Sequence, residues 1–95
     1  MKIIALEKEI EGTKSSDFEP HLKSEAEKVW ELYQEGLIRE IHFRQEQKCA
    51  VLILECDSVE KAERLIAELP LVKKGLIYFE LIPLAPYTGF ERLFK

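Results

Sequence analysis

Glu80 is a carboxylate inside an otherwise apolar run, GLIYFELIPLAP from Gly75 to Pro86. Burial in a strand disfavours the ionised form and moves such a group toward a working pKa near neutrality. His42, in IREIHF, and Glu7, in the first strand, are further polar residues in otherwise apolar strands. Proton abstraction beside a carbonyl needs a base within hydrogen-bond reach and a donor for the developing oxyanion. The sequence therefore nominates Glu80 and His42 as proton carriers. Tyr78, which shares a strand face with Glu80, and Arg39 supply donors, and the Arg39 fork suits an anionic substrate. Trp30 and Tyr33 stand at helical spacing and read as core or as pocket wall. The competing reading makes Glu80 and His42 cross-strand surface pairs worth about 0.2–1 kcal/mol each. In that case Glu80 serves to block pairing at an exposed sheet edge.

Other chemistries lack their residues. His21 lies beside Pro20 in a first helical turn and reads as solvated. The two histidines belong to no His/Cys/Asp cluster at ligand spacing, so no metal site is expected. Gly12, Gly36, Gly75 and Gly89 are isolated and form no phosphate loop. Cys49 and Cys56 are an odd number of residues apart in one expected strand, hence on opposite faces. No disulfide is implied, and a reducing compartment fits. The net charge of −4 is spread among interspersed signs, which argues against nucleic acid. No apolar run approaches the roughly 20 residues of a membrane helix, and the N-terminus does not read as a signal peptide. A soluble, cytoplasmic protein is expected.

The elements that must position these residues follow from period and punctuation. Lys2 to Ile10 reads as a first strand. A helix follows, capped by Ser16 or Asp17, with Pro20 in its first turn and an apolar stripe of Phe18, Leu22, Ala26, Val29, Trp30 and Tyr33. Glu25 falls with Lys23, Glu27, Lys28 and Glu31 on the polar face. Gly36 ends the helix as a left-handed C′ residue. Leu37–Arg44 and Lys48–Cys56 read as strands joined by a short hairpin loop. A second helix starts at Asp57 with Glu60 completing a capping box, carries Val59, Ala62, Leu65, Ile66 and Leu69, and stops at Pro70. Gly75 to Leu84 is the last strand. The tail, 86–95, keeps Tyr87, Phe90, Leu93 and Phe94.

The order β-α-β-β-α-β is the split βαβ, ferredoxin-like α+β arrangement, with two helices on one face of a four-stranded antiparallel sheet. Strands one and three are read as central, and the first and fourth as not adjacent. The chain, 95 residues and one domain, is 46% apolar. CAVLILEC, the third strand, is apolar on both faces, as in strands buried on both sides. No element remains to cover the second face. A homodimer packing sheet on sheet would cover it. The tail then clamps the partner or, alternatively, lids a pocket.

The ordered set of Gly36 with Arg39, Leu69-Pro70-Leu71 and Glu80-Leu81-Ile82-Pro83-Leu84-Ala85 resembles the muconolactone isomerase-like family of dimeric α/β barrels. The likeness runs from the first strand to Ala85. It implies a tight dimer, a larger ring being open, and a pocket for a small organic acid or lactone. It also implies isomerisation by proton transfer with no metal or cofactor. The tail departs from the isomerase ending. A non-catalytic ligand-binding or assembly module on the same dimer is the alternative from another functional class. A cofactor-free oxygenase lacks its aromatic and histidine constellation.

Overall fold

The computed structural model describes all residues, Met1–Lys95. Four strands, β1 (Lys2–Glu9), β2 (Ile38–Phe43), β3 (Ala50–Glu55) and β4 (Ile77–Pro83), form one antiparallel sheet in the order β2-β3-β1-β4. The ferredoxin-like expectation holds. The adjacency expected of its strands does not: β1 pairs with β4 along seven positions, including Leu6 opposite Glu80 and Lys8 opposite Tyr78. Each crossover skips one strand, and the other half of the chain fills the gap. Thus β3 enters between β1 and β2, and β1 comes to lie between β3 and β4.

Helical segments run α1 (Ser15–Phe18), a 3-10 turn (Glu19–His21), α2 (Leu22–Gln34), α3 (Val59–Ile66) and α4 (Pro70–Lys73). Asp17 Oδ2 accepts the Lys14 N–H at 2.8 Å, and the N-cap is Lys14, two or three residues before the expected Ser16 or Asp17. Ser58, not Asp57, caps α3: its Oγ accepts the Lys61 N–H at 3.1 Å. α3 ends at Ile66 with Ala67 as its C-cap, short of the stop expected at Pro70, and Pro70 instead opens α4, because a first helical position needs no amide. Gly36 (φ +89°) and Gly75 (φ +72°) end α2 and α4 by the same device. The next amide reaches back five residues, Leu37 to the Leu32 carbonyl at 3.1 Å and Leu76 to the Leu71 carbonyl at 3.0 Å.

The core lies between sheet and helices. Ile3, Leu32, Ile38, Leu52, Leu54 and Leu69 are its large, fully buried side chains, and no buried residue is polar. The buried stripe of α2 differs from the expected one. It passes through half-buried Glu25 and Val29 to Leu32, while Leu22, Trp30 and Tyr33 are exposed. These positions recur at three and four residues, so the helix is rotated about one residue from the anticipated face.

A β-bulge interrupts β2. Ile38 faces Leu54 and Glu40 faces Ile53, leaving Arg39 as the extra residue. The second face of the sheet has no covering element. Ile4, Leu6, Val51, Ile53 and Ile82 remain half-buried there, as the two-faced third strand requires. Only 14 of 95 residues are buried, so a large share of the apolar content is left at the surface. The tail runs off the sheet into a 3-10 segment (Gly89–Phe94), with Tyr87, Phe90, Leu93 and Phe94 between 68% and 85% exposed. The radius of gyration is 15.6 Å, against about 12 Å for a compact chain of this length. No helix is long and apolar enough to cross a membrane.

Leu32→Ala should lower the free energy of unfolding by about 2–5 kcal/mol in urea denaturation. A loss below about 0.5 kcal/mol would place the buried face of α2 elsewhere.

Candidate functional site

Alternation along β1 sends Ile3, Ala5 and Glu7 to the helix-covered side of the sheet. Ile3 and Ala5 are sealed under the helices, but Glu7 stands farther along the strand, where the cover opens. There a cavity of about 500 Å³ lies between the sheet and the α1–α2 segment. Eleven of its 17 lining residues are hydrophobic, among them Phe18, Val29, Phe43 and Phe79. Its volume and apolar character suit a small organic molecule. Leu22, Ile41, Phe43 and Lys48 form an exposed rim.

Two carboxyl groups enter this apolar space from opposite walls. Glu7 rises from the sheet, and its Oε1 accepts the N–H of Ala50, the first residue of β3, at 2.9 Å. Glu25 comes from α2, and its Oε1 accepts the Leu71 N–H at 2.9 Å. Leu71 is in the first turn of α4, where amides have no intrahelical acceptor, so Glu25 caps that turn and ties α2 to α4. Burial raises the Glu7 pKa above the ordinary glutamate value; the Ala50 bond opposes the rise and the Glu9 charge adds to it. Burial likewise raises Glu25, against the Leu71 bond, with the Glu7 charge adding. Glu9 and Glu19 also line the cavity and Lys48 is its one cation, so four carboxyls face one ammonium.

The residues nominated from the sequence lie elsewhere. Glu80, His42 and Tyr78 are on the uncovered face, exposed and outside the cavity lining. Glu80 lies 3.9 Å from Lys8 Nζ across the β1–β4 pair, and His42 Nε2 lies 3.1 Å from Glu40 Oε1 on the same strand. Arg39, at the bulge, donates from Nε to the Gly36 carbonyl at 2.7 Å and so braces the α2–β2 turn. Trp30 and Tyr33 pair on the outer flank of α2 with ring centroids 5.8 Å apart. The structure brings none of the six into the cavity. Glu7 was readable as a polar interruption in an apolar strand. Glu25 was not, because at surface spacing it resembles its charged neighbours. The signal that could have found it is its place between Leu22 and Val29, four residues before the latter.

Cys49 and Cys56 are free and buried at either end of β3. The structure also gathers a group that no linear spacing announced: Glu7, Glu9 and Cys49 offer ligand atoms within 4.8 Å of one another. Burial, then the Glu7 and Glu9 charges, raise the Cys49 thiol pKa. A thiol held protonated is a poor ligand and a poor nucleophile.

No protein-family model matches the chain, and no curated protein matches it in sequence. Among solved structures it is similar to 5-chloro-2-hydroxyhydroquinone dehydrochlorinase from Burkholderia phenoliruptrix, determined in complex with 2,5-dihydroxybenzoquinone. The TM-score is 0.66 with 14% identity, covering 94% of this chain and 98% of that one. At that identity the likeness shows the fold, the ferredoxin-like α+β arrangement, and the fold alone.

The raised carboxyls have a signed consequence for stability. In the unfolded chain Glu7 and Glu25 ionise at ordinary values; in the fold they hold their protons to higher pH. The folded state therefore binds more protons across that window, and stability falls as pH rises through it. Glutamine retains an oxygen to accept the backbone amide and carries no charge. Glu7→Gln should thus raise the unfolding temperature at pH 7 and leave it unchanged at pH 4. An equal shift at both values would refute the burial cost.

Proposed function

We propose that this chain is a cofactor-free enzyme that moves a proton on a small, largely apolar carbonyl compound and works as a cytoplasmic homodimer. The observation that carries the reading is Glu7, a half-buried carboxyl of raised pKa in an apolar cavity of ligand size. Such a group can take a proton from carbon near neutral pH. Of the two substrate classes suggested by the muconolactone isomerase-like resemblance, the lining favours the lactone. An organic acid would enter beside four carboxyls and a single lysine, whereas a neutral lactone avoids that repulsion. The structural neighbour is named as a dehydrochlorinase of a hydroxyhydroquinone, and its bound compound is a dihydroxybenzoquinone. A small oxygenated ring is the kind of ligand this reading assigns here.

The dimer rests on the uncovered sheet face. Its half-buried Ile4, Leu6, Val51, Ile53 and Ile82 make an apolar centre, and charged Lys2, Lys8, Glu40, Glu55 and Glu80 surround it. An apolar centre with a polar rim is the usual anatomy of a protein interface. Within the dimer, Glu80, His42 and Tyr78 lie in the seam between sheets. Proton transfer by Glu80 or His42, with Tyr78 and Arg39 as donors, is the competing assignment and places the chemistry in that seam. The tail packs on the partner as a clamp. Tyr87 and Phe90 already stack edge to face at 5.0 Å, and the Tyr87 ring lies where a side chain at Gly89 would be. A non-catalytic binding module is the reading that remains if the cavity holds a ligand without turning it over. The free, buried thiols fit a reducing compartment.

Turnover is measured by proton NMR in D2O with a β,γ-unsaturated γ-lactone, 5-methyl-2(3H)-furanone. Glu7→Gln should lower the isomerisation rate by about 100-fold or more, while Glu80→Gln retains it. The reverse pattern would move the chemistry to the seam. Sedimentation should show a dimer at micromolar concentration, and Ile53→Asp should leave a folded monomer. A monomeric parent protein would refute the sheet-on-sheet assembly.

A further inference from the structure

Glu7 and Glu25 share a geometry that a lone catalytic carboxyl would not need. They rise from different elements, β1 and α2, into one cavity. In each, Oε1 is tied to a backbone amide at 2.9 Å, and Oε2 has no protein partner. The amide bond fixes the carboxyl and leaves its second oxygen to meet a ligand. Neither carboxyl has a cation bonded to it, although seven ion pairs occur elsewhere in the chain. We propose that Glu7 and Glu25 act together on the two sides of one neutral, enolisable ligand, Glu7 as base and Glu25 as acid. This deepens the proton-transfer reading and rests on it.

Charge bears on the division of roles. The Glu7 carboxylate opposes ionisation of Glu25, and in the proposed pair the first charge lies on Glu7 and the retained proton on Glu25. Of the other titratable groups of the cavity, the Glu9 charge raises Glu7 and works against this order. Glu9 and the Cys49 thiol lie beside Glu7, Glu19 comes from the 3-10 turn, and Lys48 stands on the rim. For a β,γ-unsaturated carbonyl compound the step balances without any co-reactant. Glu7 removes the proton from the carbon next to the carbonyl, and that C–H pair forms the new α,β double bond. The electrons of the old β,γ double bond take the Glu25 proton at the γ carbon. The product is an isomer, Glu7 ends protonated and Glu25 ionised, and exchange with water restores the pair.

The test begins with the free protein, by carbon-13 NMR titration of the glutamate carboxyls. Both residues should titrate above the ordinary glutamate range, and Glu7→Gln should lower the Glu25 midpoint. Midpoints that ignore each other would overturn the pair. The second arm uses 5-methyl-2(3H)-furanone in D2O. Each turnover by the parent protein should place one deuteron at the γ carbon, because Glu25 has exchanged with solvent. Glu25→Gln should slow turnover by about 100-fold or more although glutamine can still accept the Leu71 amide. If Glu25→Gln turns over at the parental rate, or the product keeps the abstracted protium, Glu7 acts alone and only the pair is lost. If the carboxyls are coupled but the parent protein never turns the lactone over, the proton-transfer reading itself falls, and the pair with it.

Discussion

The alternation of side chains along β1 is the constraint on which everything else in this molecule depends. β1 is central, bonded on both edges, and every second residue must face the helices. Ile3 and Ala5 are sealed into the core, and Glu7 follows on the same side because the period allows nothing else. Ile4 and Leu6 are sent to the opposite side, where no helix waits. One strand thus supplies the floor of the core, a carboxyl for the cavity and the middle of an uncovered apolar face. A one-residue slip would exchange all three.

Much of this was legible in the chain. The β-α-β-β-α-β order follows from period and punctuation, Gly36 was recognisable as a helix stop, and the two-faced apolar character of Ala50–Glu55 announced an uncovered sheet face. The misreadings share a physical origin. β1–β4 adjacency is a property of crossovers, which no local pattern encodes. Ser58 and Asp57 are both competent caps, and backbone geometry chooses between them. Pro70 starts α4, since a first helical position needs no amide, while α3 has already ended at Ile66. The rotation of α2 was missed because Trp30 and Tyr33 are large and apolar, and Leu32 was passed over beside them.

The site was less legible than the fold. Glu80 and His42 stand out because their strand neighbours are apolar, but both lie on the uncovered sheet face rather than on the helix-covered side that holds the cavity. Glu25 is the converse. Its sequence neighbours are charged, and it enters the apolar space because the buried face of α2 turns through it. Interruption of an apolar pattern finds polar residues in strands. It does not find a carboxyl on an amphipathic helix, where the fit to the buried phase has to be tested position by position.

The bulge at Arg39 has a reach beyond its own turn. Strand β2 carries a two-beat rhythm, and Ile38 starts it on the helix side. Paired regularly, with Arg39 taking a beat of its own, the next beats on that side would be Glu40 and His42. Arg39 inserts half a period, so Ile41 and Phe43 take those beats and the polar pair is carried to the other side. One supernumerary residue therefore sets the polarity of the cavity mouth. The same sequence paired in regular register, with no bulge, would present an imidazole and a carboxylate where this one presents an isoleucine and a phenylalanine, and would ask for a different guest.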